Sequence, residues 1–190
     1  VLHLATHGYF VGDDACEERI GPLLRSGLIL AGAGRGDDAT AAPAESTEDG
    51  VLTAEEVAAL DLTGVELVVL SACEAGRGDV VDGEGVLGLR RALSLAGAQQ
   101  VVVNVWPVPD TWSARWMKAF YGAMREGEDV ATAVRVAQRD NLDRLRRVGR
   151  TPHPYYWSGW IAVGSPAGSG TNRASNSGAV SPDASRICTR

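Results

Sequence analysis

The residues in this sequence that could do chemistry lie at the ends of two apolar segments. Cys73 directly follows the run VELVVLSA, and His7 comes two positions after the run VLHLA. A thiol becomes a nucleophile when a base or a positive field raises its thiolate fraction, and an imidazole within hydrogen-bond reach is the usual base. Gly8 follows His7 and leaves its backbone amide exposed to whatever His7 faces. The pair predicts thiol–imidazole chemistry; the alternative, that Cys73 is a small buried apolar residue, stays open.

The other histidines and cysteines are weaker candidates. His3 lies inside its apolar run, where we expect packing or a structural hydrogen bond, and His153 lies in a loop between two prolines. Cys16 and Cys188 are expected in loops and should be dispensable. Three scattered cysteines predict neither a disulfide framework nor a zinc site. The runs GAGRG and GEGVLG lack the Gly-Lys-Ser/Thr ending of a phosphate loop, so no metal and no cofactor is predicted.

His7 and Cys73 can meet only if the segments that carry them become neighbouring strands. Five apolar runs have the length and the bounding residues of buried strands. They are VLHLA, SGLILAGA, VELVVLSA, QQVVVNVW and YYWSGWIAVG. In open sheets of parallel strands, ligands collect beyond the carboxyl ends of the strands, and both candidates lie at such ends. We expect the first strand to stop at His7 and Gly8.

Predicted helices separate these strands. The predicted helix TAEEVAAL opens with Thr53 and has Glu56 three positions on, which is the spacing of a capping box. EGVLGLRRALSLAG is closed by Gly97, and Asp129 can cap VATAVRVAQRDNLDRLRR. TWSARWMKAFYGAMREG carries aromatic residues at helical spacing, which we expect in the core. Strands that alternate with helices predict an α/β fold with a mainly parallel sheet covered on both faces.

Composition limits the partners and divides the chain. The net charge of −6 argues against nucleic acid, whose binding depends on Lys and Arg. No apolar run approaches the roughly 18 residues of a membrane span, and the start lacks the features of a signal peptide, so we expect a cytoplasmic protein. Val1 lies inside a strand-like run and is not Met, which leads us to expect further sequence upstream. We expect one domain over residues 1–164, with a flexible insertion at 32–50 and a disordered tail at 165–190.

Several motifs together resemble the CHAT family, caspase-like cysteine peptidases found beside tetratricopeptide repeats and related to separases. They are HLATHG, LVVLSACEAGRG, GEGVLGLRRALSLAGAQQVVVNVWPVPD and YYWSGWIAVG, in family order over residues 1–164. The resemblance implies a caspase-like three-layer α/β/α sandwich whose first strands precede this piece. It also implies a catalytic dyad of His7 and Cys73, with the backbone amides of Gly8 and Cys73 as the oxyanion hole. The expected activity is hydrolysis of peptide bonds in protein substrates, with regulatory repeats upstream.

The resemblance also bears on the residue before the scissile bond. Among relatives in the same clan, separases, arginine-specific gingipains and metacaspases prefer a basic residue there, whereas caspases prefer an acidic one. A buried ammonium or guanidinium group needs a carboxylate partner. Asp110 could supply it, with Trp106 as an apolar wall; its alternative role is to cap the following helix. Asp82 and Glu84, in the loop after Cys73, are the other carboxylates considered. We therefore expect cleavage after Arg or Lys.

Two rival functions remain at the level of sequence. An α/β-hydrolase with a cysteine nucleophile would need Gly-x-Cys-x-Gly, whereas this chain has Ser-Ala-Cys-Glu-Ala, and its histidine should follow the nucleophile. The other rival is a catalytically silent caspase-like module that serves as a scaffold or in signalling. Labelling by a thiol-reactive peptide that depends on His7 would separate a peptidase from a scaffold.

Overall fold

A computed structural model describes residues 1–10, 23–33, 49–72 and 84–164, with the backbone alone for residues 84–87. The strands are β1 (Leu2–Phe10), β2 (Ser26–Ile29), β3 (Val51–Thr53), β4 (Leu67–Ala72), β5 (Gln100–Asn104) and β6 (Trp160–Gly164). The α-helices are α1 (Ala54–Ala59), α2 (Glu84–Leu95), α3 (Asp110–Arg125) and α4 (Val130–Arg147). A short 3-10 helix, Pro154–Tyr156, precedes β6.

The six strands form one sheet in the order β3-β2-β1-β4-β5-β6. The central strands β1, β4 and β5 pair in parallel, while β2 pairs antiparallel with both β1 and β3, and β6 pairs antiparallel with β5. Four of the six strands therefore run in one direction, which confirms the predicted mainly parallel sheet. Two of the predicted strands, from VELVVLSA and QQVVVNVW, lie side by side at its centre.

Alternate residues of the central strands bury opposite faces of the sheet. Val68 and Leu70 of β4 face one apolar cluster, which α1 and α2 complete with Val57 and Leu93. Val69 of β4 belongs to a second cluster on the other face. That cluster contains Val102 of β5, Trp116 and Phe120 of α3, Ala133 and Ala137 of α4, and Trp160 of β6. The structure thus has three layers, α/β/α, as predicted.

The predicted helix ends are confirmed where local hydrogen bonds define them. Thr53 and Glu56 form the capping box at the start of α1, with reciprocal backbone and side-chain hydrogen bonds. The carboxylate of Asp129 accepts a hydrogen bond from the backbone N–H of Thr132 at the start of α4. Gly97 follows α2 in a left-handed conformation, with a φ of +105°, as a residue that closes a helix does.

The first strand differs from the prediction. It does not stop at His7 and Gly8 but continues to Phe10, because its second half pairs antiparallel with β2. The short edge strand β3 was not predicted, since only its pairing with β2 defines it. Most of the predicted insertion at 32–50 and the tail at 165–190 lie outside the described residues. Among the helices that are described, none is both long and apolar enough to span a membrane.

Candidate active site

His7 lies at the point where the strand pairing of β1 changes from β4 to β2. The first half of β1 pairs with β4 up to the pair of Thr6 and Ala72, and from His7 onward the strand pairs with β2. The Thr6 hydroxyl donates a hydrogen bond to the carbonyl of Ile29, which fixes β2 at the same point. The His7 side chain is exposed. Its backbone is therefore held by two strands while its imidazole faces solvent.

This position is also a topological switch point. After β1 the chain continues to β2 on one side of the sheet, and after β4 it continues through α2 to β5 on the other side. Where two neighbouring parallel strands send the chain in opposite directions, a crevice opens beyond their carboxyl ends, and ligands bind there. His7 lies at the carboxyl end of the part of β1 that runs parallel to β4.

Gly8 lies close to the end of β4. It is buried, and a methyl group added to it would lie 3.2 Å from the Cβ atom of Ala72 and 3.5 Å from the carbonyl oxygen of Gly27. Contacts of 3.2 Å between carbon atoms are tighter than the optimal separation of about 3.5–4.0 Å. A residue larger than glycine would thus push β1 away from the last residue of β4.

Several predicted site residues lie outside the described part of the chain. Cys73 and Asp82 belong to the segment between β4 and α2, and Cys16 and Cys188 are likewise outside it. Glu84 is the first residue of α2, and its side chain is not described. Among the described residues, no group of three or more His, Cys, Asp or Glu could hold a metal ion.

His3 has the structural role expected of it. Its Nδ1 atom lies 3.0 Å from the hydroxyl of Tyr121 in α3, and the two rings are 5.7 Å apart between centroids. Partial burial lowers the pKa of His3 below its usual value and raises the pKa of Tyr121 above its own. Because residues two apart on a strand share a face, His3, Ala5 and His7 lie on the face of β1 that turns toward α3. His3 is therefore occupied by a contact within the fold.

Trp106 follows β5 at the same edge of the sheet, where the carboxyl ends of the parallel strands lie. Its indole N–H donates a 3.0 Å hydrogen bond to the carbonyl of Tyr155, in the 3-10 helix before β6. A methyl group on Gly159 would lie 3.0 Å from the indole nitrogen and 2.6 Å from the side chain of Val108. The sequence did not predict these contacts of Trp106. The one local indication was Gly159, which precedes the tryptophan that begins β6.

The alternative role considered for Asp110, the cap of α3, is not observed. Asp110 is itself the first residue of the helix, and the cap position is taken by Pro109, which has no side-chain acceptor. The hydroxyl of Ser113 donates instead to the carbonyl of Val108 across the first turn. Asp110 is exposed at the start of α3, at the edge of the sheet that also carries Trp106.

Comparison with known proteins agrees with this architecture. A family model described as the CHAT domain matches residues 1–165. Tetratricopeptide repeat protein 28 of Homo sapiens is 35% identical over 115 residues, which are 60% of this chain and 4% of that protein. The Mus musculus protein of the same name is 34% identical over 119 residues, which are again 60% of this chain and 4% of that protein. The match spans only a small part of the length of these relatives.

Proposed function

Because the chain belongs to the CHAT domain family, which is caspase-like, we propose that it is a cysteine endopeptidase whose catalytic dyad is His7 and Cys73. The observation that carries the proposal is the pairing of Thr6 with Ala72. His7 is bonded to the first of these residues and Cys73 to the second, and bonded residues have Cα atoms about 3.8 Å apart. This arrangement supports an imidazole and a thiol that start from adjacent points of the sheet.

The proposed reaction proceeds through an acyl-enzyme. The Cys73 thiolate attacks the scissile carbonyl carbon, and the amides of Gly8 and Cys73 stabilise the negative oxygen that forms. Protonated His7 then gives its proton to the leaving amine, after which it activates the water that hydrolyses the thioester. Removing one oxyanion donor costs about 100- to 1000-fold in kcat where it has been measured. The burial of Gly8 against Ala72 supports a donor in a fixed position.

The dyad is tested by covalent labelling of the full chain. A peptide vinyl sulfone that ends in Arg should add once, and peptide mapping should find the adduct on Cys73. Cys73→Ala and His7→Ala should each abolish labelling, whereas Cys16→Ser and Cys188→Ser should label like the parent protein. Labelling that survives His7→Ala would remove the imidazole from the mechanism. Peptidase activity that survives Cys73→Ala would refute the assignment of the nucleophile.

We further propose that the enzyme cleaves after Arg or Lys. Asp110 supports this preference because it is exposed at the site edge of the sheet and makes no cap hydrogen bond. Trp106, anchored through Tyr155, offers an apolar wall for the long side chain of the substrate. Asp82 and Glu84, near the cysteine in sequence, are the alternative carboxylates.

A panel of fluorogenic peptides that differ only in the residue before the scissile bond tests this preference. Arg and Lys substrates should outpace the Asp substrate, and Asp110→Asn should remove most of that difference. Asp140→Asn, in α4, is the matched control and should leave it unchanged. Faster turnover of the Asp substrate would refute the basic preference, and an unchanged Arg preference in Asp110→Asn would transfer the role to Asp82 or Glu84.

The surroundings of the domain are proposed from its relatives and composition. The two relatives are named for tetratricopeptide repeats, which supports repeats of this kind in the full-length protein as regulatory segments. We propose residues 1–164 as the peptidase domain, protein chains as its substrates and the cytoplasm as its location. The acidic net charge supports protein over nucleic acid as the partner.

A further inference from the structure

A groove of about 870 Å³ runs along the outer side of α3 and reaches α4. Its lining includes Arg115, Lys118, Ala119, Gly122 and Arg125 of α3 and Asp140 of α4. The opposite side of α3, with Trp112, Trp116 and Phe120, is buried in the core. The stretch of α3 that borders the groove covers about four helical turns, or about 21 Å. This stretch of α3 is thus long enough for a short helix to lie along it.

Gly122 is unexplained by the folded chain itself. It lies within α3, where glycine is less favourable than any other residue except proline. Its φ is not positive, and a methyl group added to it would have no atom within 4 Å. Neither the backbone conformation nor the packing of the described residues therefore requires a glycine. A glycine beside the half-buried Ala119 does allow another backbone to approach α3 closely.

The charges around the groove specify what could approach. Arg115, Lys118 and Arg125 contribute three positive charges, and Asp140 contributes one negative charge. Within the described part of the chain, none of these three cations is in an ion pair. An acidic partner would therefore be attracted to this groove.

We propose that this groove docks an acidic amphipathic α-helix of a partner protein. The helix would lay small apolar residues over Ala119 and Gly122, where the two backbones come closest, and direct carboxylates to Arg115, Lys118 and Arg125. Helices pack through ridges and grooves, and the residues at the contact set the distance between their axes. Nucleic acid is disfavoured because its affinity depends on many phosphate contacts, and this groove offers three cations. The proposal does not depend on peptidase activity.

The test uses a fluorescein-labelled synthetic helix of about 18 residues, with Glu on one face and Ala and Leu on the other. Fluorescence anisotropy with the full chain should show saturable binding that weakens as salt is raised. Lys118→Glu combined with Arg125→Glu should weaken binding by about tenfold or more. The matched control, Arg91→Glu combined with Arg139→Glu, makes the same charge change at exposed positions outside the groove and should bind like the parent.

Gly122→Leu separates close packing from charge. The variant keeps every cation and has room for its side chain, so it should fold, yet it should lose the peptide. Backbone amide shifts on adding the peptide should map to α3 and α4. The proposal would be overturned by equal binding by the groove variants, by equal binding of the same peptide with Lys in place of Glu, or by no binding at about 1 mM peptide. Equal binding of a single-stranded oligonucleotide would show a general polyanion surface and would also overturn it.

Discussion

Gly8 shows at the scale of one residue how the sheet sets the geometry of the proposed oxyanion hole. In Gly8→Ala the new methyl group would meet the Cβ atom of Ala72 at 3.2 Å and move β1 by a few tenths of an ångström. Overpacking of this kind destabilises proteins by about 1–3 kcal/mol. Because small displacements of a catalytic group are costly, we expect the labelling rate of Cys73 to fall by about tenfold or more.

A second substitution distinguishes a displaced amide from general damage. Ala72→Gly removes the methyl group that the new side chain would contact, so Gly8→Ala with Ala72→Gly should recover most of the labelling rate. Urea unfolding measures the stability of each variant beside its labelling rate. If the double variant regained its stability but not its labelling rate, the Gly8 amide would not be held in place through Ala72.

His3 predicts a dependence of stability on pH. Burial lowers the pKa of His3 in the folded protein, so the unfolded chain binds a proton at a higher pH than the folded chain does. The contribution of His3 to stability is therefore present above the ordinary histidine pKa of about 6.5 and is lost as the pH falls toward the lower folded value. His3→Gln should lose less stability than the parent between pH 7.5 and pH 5.

Urea midpoints at both pH values measure this difference. Tyr121→Phe keeps the ring beside His3 but removes the hydroxyl, and it should cost up to about 1 kcal/mol at pH 7.5. An equal loss of stability on acidification in His3→Gln and the parent would show that other groups carry the pH dependence.

At the scale of elements, two helix glycines predict opposite effects of the same substitution. Gly97 ends α2 with a φ of +105°, and a methyl group there would lie 3.2 Å from the backbone nitrogen of Thr63. Gly97→Ala should therefore destabilise the protein by more than about 1 kcal/mol. Gly122→Ala places its methyl group in open space beside α3, and this variant should be more stable than the parent protein by about 0.5–1 kcal/mol. Thermal unfolding compares the pair, and a change of the same sign in both variants would contradict this account.

At the scale of the whole molecule, the sheet joins two cores that are expected to unfold together. All five tryptophans belong to the clusters on the α3 and α4 side, and none to the cluster beneath α1 and α2. Leu93 lies in that tryptophan-free cluster, and Leu93→Ala should cost about 2–5 kcal/mol. If the fold is one cooperative unit, Leu93→Ala should lower the unfolding midpoint by the same amount whether it is followed by tryptophan fluorescence or by far-ultraviolet circular dichroism. Separate midpoints would show that the two sides unfold independently.

Local features of this fold could be predicted from the sequence, whereas long-range pairings could not. The capping box of Thr53 and the closing Gly97 depend on residues a few positions away. The extension of β1 to Phe10 depends on β2, and the three residues of β3 have no apolar pattern of their own. The same division holds at the candidate site. The motif identified His7 as a candidate, but only the sheet shows that Thr6 pairs with Ala72.

The pairing of positions 6 and 72 also has a consequence for the order of folding. Contacts between residues far apart in sequence form slowly, because the intervening chain must lose its freedom before they are made. The pairings of β2 with β1 and β3, and the turns of α1 and α2, join residues that are closer in sequence. The two strands that would present the imidazole and the thiol are therefore expected to join late. A chain that is still folding, with its own backbone accessible, would have no assembled dyad to cut itself or its neighbours.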